Sequence, residues 1–333
     1  MSQIVSVLYN GSMQNHSGNS IKNFQIKKIN TRDRYYSISP FPFNEEKLLN
    51  SIKIAGITVP VQLEAGPDKD IRIVSGFKRV LASAQAGMTE IPGIVAEKGD
   101  PLLTFWKVAQ ENYGARDLHD LEKAEIIRKL KELHSVAEQD LLSLYMPGIG
   151  LKGSRYKLDR FLKLAGLSDF LKESCINDIL LCGTAIEIRS WPEPEQVFFA
   201  GLASRLKLGT NKQKQLLRLI EDLKKMERVG LDAVWKICGL QDSEPGDINF
   251  EKIYQLLTEK RFPVLSEHQK KWVTLREGLN LHQGIKLQIP RFFDGDSITV
   301  TFSAANPAEF RDKAEQLLEA SRKKELDDIY SLL

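Results

Sequence analysis

Residues 71–95, IRIVSGFKRVLASAQAGMTEIPGIV, constrain the architecture of this chain more than any other stretch. Ile71, Ile73 and Val74 read as an apolar strand, Ser75-Gly76 as a turn, residues 77–86 as a helix, and residues 91–95 as a second strand. A helix that follows a strand this closely must fold back onto the sheet, which calls for a mixed α/β domain. The turn is also a candidate anion seat. Glycine permits close backbone approach, the first helical turn offers unpaired N–H groups, and Lys78 and Arg79 add charge where the helix dipole favours an anion. The short pattern G-x-K-R also occurs as an ordinary surface turn with two solvated cations, so its neighbours decide between the two.

Upstream lies SIKIAGITVPVQL (51–63), a helix end at Gly56 followed by a Pro-containing strand. Downstream lies ENYGARDLHDLEKA (111–124), a helix carrying adjacent Glu111 and Asn112. The order SI-x-x-x-G-x-x-x-P-V, I-V-S-G-x-x-R-x-x-A, G-M-T-E-I-P-x-I-V and E-N resembles the amino-terminal domain of the ParB partition proteins, whose fold is shared with sulfiredoxin. The resemblance covers about residues 37–125, and the combined spacing is far more specific than any one piece.

That resemblance implies a nucleotide pocket that binds CTP with Mg²⁺ and closes a clamp on DNA. By position it assigns Ser75, Gly76, Lys78, Arg79, Glu111 and Asn112 to the nucleotide, with Glu111 as the Mg²⁺ ligand and the one candidate for a catalytic carboxylate. Two residues depart from the family pattern. Phe77 stands where an acid is expected, and Ala115 stands where an Arg is expected, with Arg116 one place later. A phenyl ring holds neither metal nor water, which limits any CTPase activity. The sulfiredoxin activity is rejected, because Phe77-Lys78 occupies the place of its catalytic cysteine. His119, Asp120 and Glu122 read as structural residues at the end of the domain.

The chain has 333 residues, 42% of them apolar, enough for two or three domains with cores of their own. Cys175, Cys182 and Cys238 are too far apart for a C-x-x-C metal site and read as reduced core or near-core residues. The first twenty residues lack an export pattern and no stretch reaches the length of a membrane span, so the expected location is the cytoplasm, on nucleoid or plasmid, with no membrane partner. The net charge of +3 does not by itself indicate nucleic acid; local patches matter more.

Residues 1–20 are polar and aperiodic, and residues 21–34 carry Lys22, Lys27, Lys28, Arg32 and Arg34 against Asp33, so 1–34 reads as a flexible basic arm, either a solvated leader or a DNA-touching one. Residues 35–118 form the nucleotide-binding domain, with a turn at Gly66-Pro67-Asp68. Helices are expected over 101–113 and 119–134. Within a helical domain spanning 119–240, residues 137–167 read as helix, turn, helix: Glu138–Tyr145 stops before Pro147-Gly148, and a second helix opens after Ser154 as N-cap. From Leu151 to Lys163 five cations face one acid. A recognition helix of this kind offers Lys152, Ser154, Arg155, Tyr156, Lys157 and Arg160 to double-stranded DNA, with Arg155 and Lys157 at base edges. Ser154-Arg155 is similar to the pair that opens the ParB recognition helix. Leu158, Phe161, Leu162 and Leu164 belong to the core. The alternative is a helical hairpin whose basic face is only solvated.

Residues 205–228 carry eight cations and three acids beside a leucine stripe, which suits a packed helix with a charged outer face or a second DNA surface. Residues 241–250 read as a linker. In 251–333, Ile285, Leu287 and Ile289, then Ile298, Val300 and Phe302, alternate around Asp294-Gly295-Asp296 as a hairpin, followed by a helix through Leu318. This resembles the strand-strand-helix dimerisation module of ParB proteins, and it implies a homodimer, because two strands and a helix bury too little surface alone.

The expected fold class is therefore α+β: a ParB/sulfiredoxin-like domain, a helix-turn-helix middle and a small ββα end. The leading function is sequence-specific, CTP-responsive DNA binding in partition or mobile-element maintenance, with a ParA-like ATPase as the partner that the resemblance implies. The alternatives are a ParB-like nuclease or small-molecule kinase on the same amino-terminal fold, and a DNA scaffold without nucleotide turnover.

Overall fold

A computed structural model of the chain describes residues 20–40, 46–66, 70–97, 99–240, 249–290 and 292–333. Four strands make the amino-terminal sheet: β1 (Lys22–Gln25), β2 (Val61–Ala65), β3 (Ile71–Ser75) and β4 (Glu90–Val95). Their order is β1-β4-β2-β3, with β4 and β2 parallel and the outer pairs antiparallel. β2 and β3 form a hairpin, and helix α2 (Phe77–Gln85) carries the chain over to β4 beside β2. Such a crossover is what a parallel pair requires. Val61, Leu63, Ile73 and Ile91 point inward at 0–1% exposure and account for the strand alternation. Each contributes about 1.5–3 kcal/mol of burial. Gly93 is needed between strands, because a Cβ there would lie 2.9 Å from the Phe24 ring and 3.1 Å from Leu63.

The presence of β1 corrects the flexible-arm expectation for residues 22–25: Phe24 pairs with Ile91 and Ile26 is buried. Residues 1–19 of that arm lie outside the described residues, as do Pro67 and Asp68 of the expected turn.

Helix α1 (Glu46–Ala55) packs on α2, and α3 (Pro101–Ala115) packs on β3. Asp100 caps α3 by accepting from Leu102 N at 2.9 Å, with Pro101 at its first position. Helix α4 (Asp120–Glu132) follows, then a helical run α5 (138–148) whose middle, Leu141–Tyr145, is π-helical. The helix was expected to end before Pro147, but it runs through to Gly148. A π turn already interrupts the regular ladder, so the missing proline N–H falls where it costs least. Helix α6 (Arg155–Ala165) packs on α4, and α7 (Asp169–Ile176) and α8 (Cys182–Ile188) complete this part.

The chain divides into two compact units between Pro192 and Glu193. Boundaries expected near 118 and 240 do not coincide with that division. The cause is packing: α4 continues from the amino-terminal domain into contact with α6, while the 250s helix packs on the basic helix of the 210s. The second unit holds α9 (Glu193–Arg205), α10 (Thr210–Glu227), α11 (Leu231–Ile237), α12 (Phe250–Arg261) and α13 (Pro263–Gly278), then strands β5 (Ile285–Gln288) and β6 (Thr299–Phe302), then α14 (Pro307–Ala320) and α15 (Lys324–Tyr330). β5 and β6 form the expected strand pair, antiparallel, with Ile285 opposite Phe302 and Leu287 opposite Val300. The carboxyl end is larger than a ββα unit, since Trp272, Leu279, Phe293, Ala320 and Ile329 form one cluster drawn from α13, the hairpin loop, α14 and α15. Most of the expected linker, residues 241–248, lies outside the described residues. Its last two residues belong to α12, where Asn249 accepts from Lys252 N and Phe250 is buried.

Candidate nucleotide and DNA sites

Gly76 sits at the N-cap of α2 with φ of +101°, a left-handed conformation natural to glycine. A Cβ at this position would stand 2.8 Å from Val61 Cγ1 and 3.1 Å from the Arg79 guanidinium carbon. The turn therefore brings β2, β3 and α2 together, and a cavity of about 290 Å³ opens beside it. One wall is Val74 to Arg79, a second is Tyr36 to Ser39, and a third is Val108, Asn112 and Arg116 from the end of α3, with Leu48 of α1 completing the rim.

Ser75, Gly76, Lys78, Arg79 and Asn112 thus line one cavity. Glu111 does not. Successive helical residues point about 100° apart, so a helix that turns Asn112 inward turns Glu111 aside. No carboxylate lines the cavity, and no cluster of three His, Cys, Asp or Glu side chains suited to a metal occurs among the described residues. These walls do not supply a protein-built Mg²⁺ site, for which carboxylates are the usual anchor.

The cations here already have protein partners. Arg79 Nη1 donates to the carbonyls of Val59, at 2.5 Å, and Pro60, at 2.9 Å. Burial lowers the Arg79 pKa, and the Glu111 charge offsets part of that. Arg116 forms a bidentate pair with Glu122, 2.7 Å at each contact. Glu122 is 1% exposed and also accepts from His119 N and Ser39 Oγ, both at 3.1 Å. Burial alone would raise the Glu122 pKa, but the Arg116 hydrogen bonds and charge, with His119 N and the charge of Lys78, hold it below the ordinary value. His119 caps α4 by accepting from Leu121 N at Nδ1. Phe77 is buried in the domain, with the Arg34 guanidinium 5.8 Å from its ring centre.

The second wall was not found in the sequence. Two cations from distant elements fix it. Arg72 of β3 bonds Asp33 at 2.6 Å and Glu64 at 3.3 Å and lies over the Tyr35 ring. Lys129 of α4, 4% exposed, donates to the carbonyls of Arg34, Tyr35 and Ser37. Desolvation pushes the Lys129 pKa down to about 8, against the pull of Glu125.

The second candidate site is α6. Ser154 caps it by accepting from Lys157 N at 3.3 Å, so its hydroxyl is engaged in the helix start. Lys152, Arg155, Tyr156, Arg160 and Lys163 are exposed and Lys157 is half-buried, while Leu158, Phe161 and Leu164 are buried against the interior and Leu162 is half-buried. Arg155 contacts Glu138 at 3.3 Å, yet its side chain remains 79% exposed. The glycine-rich turn has a physical reason. Gly150, at φ +76°, ends α5 with Leu151 N bonded to Met146 O and Gly150 N to Pro147 O. A Cβ on Gly153 would fall 1.8 Å from the Leu142 carbonyl oxygen.

Helix α10 is a packed element: Leu216, Leu217, Leu219, Ile220 and Leu223 are buried, and Lys212, Lys224 and Lys225 pair with Glu251, Glu195 and Glu221.

Residues 11–110 match the family model of the ParB N-terminal domain. A probable chromosome-partitioning protein ParB of Vibrio cholerae is 24% identical over 173 residues, 52% of this chain and 57% of that protein. The corresponding protein of Pseudomonas putida is 26% identical over 151 residues, 45% and 50% of the two chains. The chromosome-partitioning protein ParB of Myxococcus xanthus is 31% identical over 102 residues, 30% and 34% of the two. The chain spans about half the length of the first two relatives. Among solved structures, C-terminally truncated ParB of Caulobacter crescentus complexed with CTP-gamma-S is 25% identical, with a TM-score of 0.26 over 55% of this chain and 98% of that one. The same protein complexed to the centromeric parS site gives 23%, 0.32, 59% and 98%. Residues 11–110 of this chain are therefore similar to a ParB N-terminal domain, and the curated relatives that it matches are chromosome-partitioning proteins.

Proposed function

We propose that this protein is a DNA-binding partition protein whose amino-terminal cavity takes CTP and whose α6 grips duplex DNA. The observation that carries the proposal is the shared cavity: Ser75, Gly76, Lys78, Arg79 and Asn112, drawn from a β-strand end, a helix start and a second helix, line one space of about 290 Å³ at the first turn of α2. That volume lies near the lower end of small-molecule sites, and the helix start suits an anionic group. The bound ParB proteins of Caulobacter crescentus supply the chemical classes to test, a CTP analogue and a centromeric duplex. Any Mg²⁺ would arrive with the phosphates, and no step is assigned to a protein-held ion. No turnover is assigned to Glu111, which does not line the cavity.

Residues 251–333 are assigned to self-association. Val300, Phe310, Leu318 and Tyr330 are 44–55% exposed on a small hairpin-and-helix unit, apolar surface that a second copy would cover. A ParA-like ATPase is the proposed motor partner, and nucleoid or plasmid the proposed location. No helix among the described residues is long and apolar enough to cross a membrane.

A second reading, a DNA scaffold without nucleotide, is favoured by one observation: Arg79 and Arg116 are both engaged by protein acceptors. Thermal unfolding separates the two. CTP should raise the melting temperature in proportion to the logarithm of its concentration. Equal, flat responses to CTP, UTP, GTP and ATP would leave the scaffold.

A further inference from the structure

Three cysteines separated by at least six residues gave no motif in the sequence, yet folding brings two of them into contact. Cys175 lies in the last turn of α7 and Cys182 is the first residue of α8. The five residues between the two helices, 177–181, form a tight connection in which Asp178 takes φ of +55°, and Ile179 N and Leu180 N both donate to Ser174 O. That connection leaves the Cys175 thiol donating a hydrogen bond to the Cys182 sulfur. Cys175 is 2% exposed, Cys182 is half-buried, and Cys238 stands in the other compact unit.

We propose that Cys175 and Cys182 are a redox-active dithiol, oxidised by a peroxide to a reversible intrachain disulfide that is sensed by α6. The roles differ by environment. The hydrogen bond from Cys175 lowers the Cys182 pKa, while the same bond and burial raise that of Cys175. Cys182 is therefore the attacking thiolate and the more accessible sulfur. It displaces one oxygen of hydrogen peroxide to give a sulfenic acid and release hydroxide. Cys175 then attacks that sulfur, forming the S–S bond as its own proton leaves with the second hydroxide. Two thiols and one peroxide become one disulfide and two waters, with two electrons passed to the peroxide.

The consequence for α6 follows from adjacency. Helix α8 packs on α6, the Arg160 charge acts on Cys182, and a Cβ on Gly183 would stand 3.8 Å from Arg160 Nη2. Drawing α8 toward α7 to make the bond changes the support beneath Arg160. This part rests on the assignment of α6 to DNA; the thiol chemistry does not.

The test uses the full chain, hydrogen peroxide, and a random-sequence duplex at low salt. Titration with a thiol reagent in denaturant should fall from three free thiols to one, the single tryptic peptide 173–189 that holds both cysteines should appear about 2 Da lighter than its dithiol form, and dithiothreitol should restore all three. Cys238→Ser should still lose two thiols, whereas Cys182→Ser should form no intrachain bond. Three thiols surviving, or a bond through Cys238 to another chain, overturns the proposal. Oxidation should weaken DNA binding roughly fivefold or more, the lower range of coupling between two sites, in wild type and Cys238→Ser but not in Cys182→Ser. Unchanged affinity with the disulfide formed removes the link to α6. No binding in either state refutes the DNA assignment, while the thiol count still decides the disulfide.

Discussion

Arg116 clasps Glu122 through two contacts of 2.7 Å at the edge of the cavity. The guanidinium is 37% exposed and the carboxylate 1%, so the pair is anchored on its acidic side. Glu122→Gln should cost about 1–3 kcal/mol, less than a fully buried pair because Arg116 can turn to water. It should also free Arg116 for the cavity and strengthen the CTP-induced rise in melting temperature. The pH behaviour has a defined sign. A carboxyl held below its ordinary 4.5 contributes stability that is complete above that pH and is lost as pH falls through the lowered value. Urea unfolding of wild type and Glu122→Gln should therefore converge in acid; parallel curves would show that Glu122 does not titrate as described.

Lys129 is buried among three main-chain carbonyls of the cavity wall, on the helix against which α6 packs. Lys129→Met keeps most of the volume but strands those carbonyls, and should destabilise the protein by about 1–3 kcal/mol while weakening CTP binding more than DNA binding. With its pKa lowered from 10.5 to about 8, the folded state releases this proton before the unfolded state does. Stability referred to Lys129→Met should thus rise between about pH 8 and 10.5. A difference that stays constant across that window would refute the burial argument.

Gly76→Ala tests the turn itself. The new methyl group meets Val61 in a backbone conformation that alanine avoids, a cost of about 1–3 kcal/mol. Calorimetry should show a lowered melting temperature with no CTP response. Retention of the CTP response at full strength would move the ligand away from α2.

The strand-turn-helix at Gly76 and the C-terminal strand pair were legible because hydrophobic period and turn chemistry are local signals. β1 was hidden by its composition: an edge strand bonded on one side tolerates Lys22, Asn23 and Gln25, residues that read as solvated arm. The Tyr36–Ser39 wall was hidden by distance, since Lys129, which fixes it, comes more than ninety residues later. Glu111 does not line the cavity although Asn112 does, because neighbours in sequence diverge on a helix. The Cys175–Cys182 contact depends on the path of the chain between α7 and α8, which composition does not encode.

Arg155 and Lys163 lie at opposite ends of α6, both exposed, and the proposed docking assigns them different work. Residues at the start of a recognition helix reach base edges, whereas a lysine in its last turn meets phosphate. Arg155→Ala should reduce preference for a selected site over random duplex, a loss of about 1–3 kcal/mol of discrimination, at the expense of only a weak surface contact with Glu138. Lys163→Ala should weaken all duplexes alike and lower the slope of log affinity against log salt by about 1. Fluorescence anisotropy at several salt concentrations separates these outcomes. If both variants lose affinity equally on every sequence, α6 binds backbone only and does not read bases.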